Sequence, residues 1–150
     1  MLMTARKNGR SPLYTREMLK LEIVTPEKRV VDAEVDFVTV PTASGEAGIF
    51  PNHAPLISAL RPGIISYAVR GTSEKLVVSG GFVEVNAEKV SVLADSAESA
   101  EDIDPTDAKT SRDEAERLMT GGGATTAEAA EIARESVDLA NARLQIATPR

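Results

Sequence analysis

The sequence predicts a β-plus-α chain: an N-terminal antiparallel β-sandwich or barrel followed by a C-terminal antiparallel two-helix hairpin. Three observations carry that prediction. Apolar residues alternate with period two from Leu21 to Asp95, breaks recur every eight to twelve residues over the same stretch, and helical spacing takes over after Asp95. The division that follows is a basic, disordered leader over 1–20, a β-sandwich domain over 21–96, a linker over 97–104 and a helical hairpin domain over 105–150.

The strand signals come in order. Leu21-Glu22-Ile23-Val24 opens the series, and Val35-Asp36-Phe37-Val38-Thr39-Val40 repeats it with strong β-formers. Leu56–Leu60, Ile64–Val69, Lys75–Val78, Phe82–Val85 and Val90–Leu93 follow. Pro26-Glu27, Ser44-Gly45, Arg61-Pro62-Gly63, Arg70-Gly71-Thr72 and Asn86-Ala87 separate them. Short strands at that spacing, with no helical insert, exclude a βαβ sheet. Residues 45–56 crowd two glycines, two prolines and the single histidine together, and read as a loop between strands.

Helical signals begin at Asp104. An Asp at the N-cap, Pro105 in the first helical position and Asp107 in the first turn satisfy orphan amides and face the dipole. This helix runs to about Met119 and stops at Gly121-Gly122-Gly123. Thr125-Thr126-Ala127-Glu128 reads as a capping box for a second helix that reaches about Ala147. Its seam is Ala129, Ile132, Ala133, Ser136, Leu139, Ala140, Arg143, Ile146 and Ala147. A glycine turn between two such helices makes an antiparallel pair. Small seam residues bury little area, so a few hundred Å² give roughly 5–10 kcal/mol gross before ordering costs. Two readings stay open: a hairpin docked permanently, or one that a partner can shift.

Composition narrows the function classes. With no Cys there is no disulfide framework and no thiolate chemistry, which fits a reducing compartment. No apolar run approaches the roughly 18 residues of a membrane helix, so any membrane association runs through partners. Net charge is −6, and residues 97–150 hold twelve acids against six bases. An acidic chain with 3% aromatics and no basic stripe does not fit nucleic acid. Arg6, Lys7, Arg10, Arg16 and Lys20 make the leader basic, yet it has no apolar targeting core.

Signals for catalysis are sparse. No G-x-x-x-x-G-K-[ST] loop occurs, and Gly80-Gly81 joins two strands rather than opening a helix, so no phosphate cradle is expected. One His and no Cys make a transition-metal site unexpected, and no cofactor is assigned. His53 lacks a serine motif or a carboxylate at a diagnostic spacing. It reads as a loop His bonded to backbone, or as a subunit contact, before a general base. Glu46 is a solvated acid in a Gly loop or a binding residue at a loop tip. Asn52 tolerates positive φ and suggests a left-handed turn, and Glu84 falls on a polar strand face.

Three phrases in fixed order carry a resemblance: Gly45-x-x-Gly48-Ile49-x-Pro51-x-His53-Ala54-Pro55-Leu56, then Val78-Ser79-Gly80-Gly81-Phe82-x-Glu84-Val85, then Val92-Leu93-Ala94-Asp95. With Arg61-Pro62-Gly63 between them, they resemble the epsilon subunit of bacterial F-type ATP synthases from about Leu19 to Ala147. The resemblance implies a non-catalytic rotor component of a proton-translocating ATP synthase, coupling the gamma shaft to the c-ring at the cytoplasmic face of the bacterial inner membrane. It implies that Ser44, Gly45 and Glu46 face the c-ring, and that Pro51, Asn52, His53 and Ala54 face the gamma subunit. It further implies that the C-terminal helices can reach the alpha/beta catalytic head and inhibit hydrolysis. A free-standing β-sandwich protein-binding module with a helical tail is the alternative.

The chain departs from that family's pattern at two places. Asn52 stands where the family usually has Gly. In the stretch where some bacterial members carry Ile-Asp-x-x-Arg-Ala and bind ATP, this chain has Ile103-Asp104-Pro105-Thr106-Asp107-Ala108. Asp107 puts an anion where a phosphate needs a cation, so no ATP sensing is expected by that route. Arg134 and Arg143 remain as basic contacts, with solvated charge the ordinary reading of Arg134.

Overall fold

The computed structural model describes residues 17–122 and 125–147. The bulk of the leader, residues 1–16, lies outside them, as do 123–124 and 148–150. Ten strands form one continuous hydrogen-bonded sheet: β1 (Leu19–Val24), β2 (Arg29–Val35), β3 (Phe37–Thr42), β4 (Gly45–Ile49), β5 (Leu56–Leu60), β6 (Gly63–Val69), β7 (Thr72–Val78), β8 (Gly81–Val85), β9 (Lys89–Ala94) and β10 (Ala97–Glu98). Their order is β10-β7-β6-β3-β5-β8-β9-β1-β2, with β4 added to β3. The contact between β3 and β5 is one residue pair, Thr42 with Leu60. At that corner the sheet folds over into two layers.

Alternation fills the space between the layers. Leu19, Leu21, Ile23, Val83, Val85, Val90 and Val92 point in from one layer and meet Val38, Val40, Ile49, Ile65, Leu76 and Val78 from the other. All are buried because a period-two strand sends every second side chain to the same face. β7 breaks the alternation, with Leu76, Val77 and Val78 all buried. Val77 faces outward, but there it meets the helices.

The structure adds three details to the expected strand pattern. Val35 to Val40 is two strands rather than one: β2 pairs with β1, and β3 leaves Asp36 to pair with β6. Asp36 marks the change, its N–H donating to Ala68 O at 2.7 Å and its Oδ2 accepting from Gly71 N at 3.1 Å. Residues 45–49, expected as loop, form β4 against β3. Both glycines fit because β4 is an edge strand whose outward positions need no side chain; Gly45 takes φ 121° at the turn. Finally, β1 runs parallel to β9 in an otherwise antiparallel sheet.

Two helices follow a short 3-10 turn at Ala100–Asp102: α1 (Pro105–Thr120) and α2 (Ala127–Ala147). Asp104 caps α1 by accepting from Thr106 N at 2.9 Å, and Gly121 ends it by donating to Arg117 O at 2.7 Å. The cap of α2 sits one residue later than the expected box: Thr126 Oγ1 accepts from Ala129 N at 3.0 Å. Val77, Ile103, Ala108, Ala142 and Ile146 form a second, smaller core where α2 lies on β6 and β7. Of the expected seam, Ala133, Ala140 and Ile146 are buried, but Ile132 is 61% exposed and Ala142 is buried instead. In the C-terminal half of α2, Ala142 and Ile146 pack with Val77 of the sheet, so a face reaching outside the expected seam is buried there.

Candidate functional site

Two turns and one face of the sandwich carry the candidate contacts. The β3–β4 turn is closed from within: Thr42 Oγ1 donates to Gly45 O and accepts from Ser44 N at 3.2 Å. Thr42 is buried, so this hydroxyl fixes the tip while Ser44, Gly45 and Glu46 stay exposed. The three residues therefore form one small, rigid, acidic protrusion. Their grouping was legible in the sequence; the internal staple was not.

The second turn, 50–55, joins β4 to β5. Asn52 takes φ 69°, the left-handed conformation expected of it. Its N–H donates to Ala87 O at 2.8 Å, which ties the loop to the β8–β9 turn, and its Nδ2 donates to Glu17 Oε1 at 2.7 Å. His53 N donates to Phe50 O at 3.1 Å, and Nδ1 lies 2.6 Å from Ala54 O. A carbonyl can only accept, so Nδ1 donates in this contact, which leaves Nε2 for a partner outside the loop. Pro51 and His53 are half-buried and Asn52 and Ala54 exposed, on one continuous loop.

Sequence reasoning missed the third feature. On the outer face of β5, β8, β9 and β1 the register aligns Ala59, Phe82, Leu93 and Val24 in a row across four strands. Ile57, two residues along β5 from Ala59, extends it toward the His53 loop. Ile57 is 74% exposed, Leu93 61% and Phe82 60%. Beside the row, Val24, Pro26, Gly81 and Phe82 border a depression of about 480 Å³. The available signal was apolar residues on outward positions of adjacent strands, but reading it requires the strand register. Gly81 enables the row: its φ is 126°, and a Cβ there would lie 2.0 Å from Leu93 O.

The other end of the same face is charged. Arg29 pairs with Asp32 at 3.0 Å and with Glu22 at 3.4 Å, Lys89 with Glu22 at 3.0 Å, and Lys20 with Asp32 at 3.2 Å. The hydrogen bond from Lys89 holds the Glu22 carboxyl below its ordinary pKa, and those from Lys20 and then Arg29 do the same for Asp32. This network spans β2, β1 and β9 and pins the parallel ladder from outside. The face is thus amphipathic along its length.

The two arginines singled out on α2 have partners within the chain. Arg143 Nε donates to Glu98 Oε1 at 3.0 Å and Nη2 to Glu98 Oε2 at 3.4 Å, with Asp107 Oδ2 at 3.5 Å from Nη1. Asp107, the anion in the first turn of α1, therefore helps draw Arg143 inward. Arg134 is exposed and pairs with Glu131 along its own helix. Among the described residues no helix is long and apolar enough to cross a membrane.

Comparison with known proteins follows the same outline. Residues 18–100 match the model of the ATP synthase delta/epsilon chain β-sandwich domain. The chain is 45% identical over 126 residues to the ATP synthase epsilon chain of Desulfitobacterium hafniense strain Y51, covering 84% of this chain and 86% of the relative. It is 42% identical over 134 residues to that of Herpetosiphon aurantiacus, covering 88% and 96%. Among solved structures, a chain of the Euglena gracilis mitochondrial ATP synthase (OSCP/F1/c-ring) aligns with TM-score 0.72 at 19% identity, over 95% of this chain and 89% of that one. A chain of the Tetrahymena thermophila mitochondrial ATP synthase central stalk and c-ring aligns with TM-score 0.57 at 16% identity, over 89% and 100%. At those identities the structural likeness concerns the fold.

Proposed function

The chain belongs to the ATP synthase delta/epsilon family, and we propose that it is a rotor subunit of an ATP synthase that works by mechanical fit and catalyses nothing itself. In this reading the sandwich is a coupling between two moving parts. The apolar row and the adjoining Pro51-Asn52-His53-Ala54 loop grip the gamma subunit. The Ser44-Gly45-Glu46 protrusion engages a basic loop of the c-ring. The helices lie toward the alpha/beta head, where they can restrain hydrolysis. Association with the membrane is peripheral, through the ring, at the cytoplasmic face of the bacterial inner membrane.

One observation carries this reading: Ile57, Phe82 and Leu93 stand exposed on three adjacent strands, contiguous with the His53 loop. Large apolar side chains grouped on a rigid face mark an interaction surface, because leaving them in water costs free energy that a partner recovers. The loop contributes geometry. With Nδ1 committed to Ala54 O, the His53 ring is held in one orientation and offers Nε2 to a polar group on the partner. For Glu46, a carboxylate on a pinned tip suits a Lys or Arg on a turning ring, since an exposed pair forms and breaks at low cost.

The test is co-purification with gamma. Phe82→Ser should leave the isolated subunit folded, because the side chain is already in water, and should weaken gamma binding roughly 10-fold or more, equivalent to about 1.4 kcal/mol. Undiminished binding of the double variant Ile57→Ser, Phe82→Ser would overturn the assignment of this face. A wild-type chain that elutes alone in the presence of gamma would favour the free-standing module.

A further inference from the structure

The hairpin is fastened to the sandwich by one small cluster of buried apolar groups, Val77, Ile103, Ala108, Ala142 and Ile146, against the seventeen of the sandwich core. Regions with little buried apolar area open before the rest of a fold. Two ion pairs flank the junction with opposite polarity. On one side the α2 guanidinium of Arg143 grips Glu98 of β10; on the other the α2 carboxylate of Asp138 accepts from Arg61 Nη2 at 3.3 Å. A helix that gives a cation to one flank and an anion to the other has one seating that satisfies both.

Arg61 is also built into the support of the acidic protrusion. Its N–H donates to Pro41 O at 2.9 Å, and Pro41 stands opposite Glu46 in the β3–β4 ladder. Gly63 backs directly onto Pro41, where a Cβ would sit 3.0 Å from the proline Cβ. Glu46 and Asp138 line one groove of about 410 Å³, with Lys75 on another wall. The backbone of Arg61 is two strand spacings from that of Glu46, roughly 10 Å. Its guanidinium ends on Asp138, a wall of the same groove.

We propose that Arg61 is a shared cation that reports the position of the hairpin to the acidic protrusion. With α2 seated, Asp138 holds Arg61 and Glu46 is available to a cationic partner. When α2 loosens, Arg61 is released into the groove and turns to Glu46, which weakens the hold of the protrusion on that partner. Seating of the hairpin and binding at Glu46 thereby reinforce each other, and the coupling is reciprocal. The inference rests on the reading that the Ser44–Glu46 turn is a contact for the ring.

The experiment uses the full chain alone and follows the Glu46 Cδ resonance by NMR at neutral pH in wild type, R61Q, D138N and the double variant. Asn matches Asp in shape, Gln keeps the first methylenes of Arg, and both side chains are partly open to solvent, so folding is retained; a charge swap, R61D with D138R, gives a second background in which pairing is restored. R61Q should leave Glu46 unmoved when Asp138 is present, shift it when Asp138 is Asn, and the swap should resemble wild type. K75Q, the control for the other cation of the groove, should not abolish the shift seen in D138N. An equal response to R61Q in both backgrounds, or none in either, would overturn the proposal. Because no ring is present, that failure is separable from failure of the ring reading, which would appear as unchanged c-ring binding in E46Q.

Discussion

The sandwich and the hairpin bury different chemistry. Inside the sandwich, branched aliphatics such as Leu21, Ile23, Val38, Ile65 and Val83 are fully enclosed between two layers. The hairpin hides mainly Ala108, Ala115, Ala133, Ala140 and Ala142, with Ile103 and Ile146 at its contact with β7. An alanine removes little apolar area from water, so the helices approach closely yet gain little per residue. The hairpin depends correspondingly more on the polar pairs Arg143–Glu98 and Arg61–Asp138. Two parts of one chain therefore respond differently to the same perturbation: one loses its core, the other its seating.

The contrast is broken most strongly from inside the sandwich. Ile23→Ala leaves a cavity between two rigid layers, and urea unfolding should show a loss of about 3–5 kcal/mol across the whole sandwich. A comparable change in the hairpin should stay local. Arg143→Gln leaves Glu98 half-buried without its guanidinium, which should lower the free energy of hairpin opening by about 1–3 kcal/mol. Amide exchange would then quicken in α2 and remain unchanged in β1, β8 and β9. Faster exchange in those strands would show that the two units unfold together.

Acid provides the mildest probe. Glu22 and Asp32 in the sandwich, and Asp113 in α1, have carboxyls held below their ordinary values of 4.5, 3.8 and 3.8, each first by a side-chain hydrogen bond from Lys89, Lys20 and Lys109 respectively. A depressed folded pKa means that the unfolded chain takes up protons first as pH falls. The stabilisation is complete above about pH 5, erodes through the ordinary values and is gone below the folded ones. Asp32 is exposed and Glu22 and Asp113 are only half-buried, so solvent screens all three and the effect is small. Thermal midpoints should fall between about pH 5 and pH 3, and raised salt at neutral pH should produce a similar small loss.

Much of this architecture could be read from the chain. Alternation located the strand cores because one face must be dry, and Asp104-Pro105 located the start of α1 because both residues suit orphan amides. Asn52 was legible as a left-handed residue from its tolerance of positive φ. Other features depended on which strands meet. The glycines of 45–49 hid a strand, because an edge strand bonded on one side tolerates residues that a central one does not. Ile132 looked like seam and is exposed, since helical spacing fixes a stripe but not which segment of it finds a neighbour.

The sequence by itself determined the two units, their order, and the grouping of Ser44-Gly45-Glu46 and Pro51–Ala54 into compact turns. Period, caps and backbone punctuation are local properties, fixed by sterics and hydrogen bonding within a few residues. Only the tertiary structure decided that Phe82, Leu93 and Ile57 share one exposed face, that β1 runs parallel to β9, and that Arg61 and Asp138 meet although 77 residues separate them. Those relations depend on strand register and on the seating of α2. Both are set by the sum of many weak contacts across the fold, which no local stretch of sequence encodes.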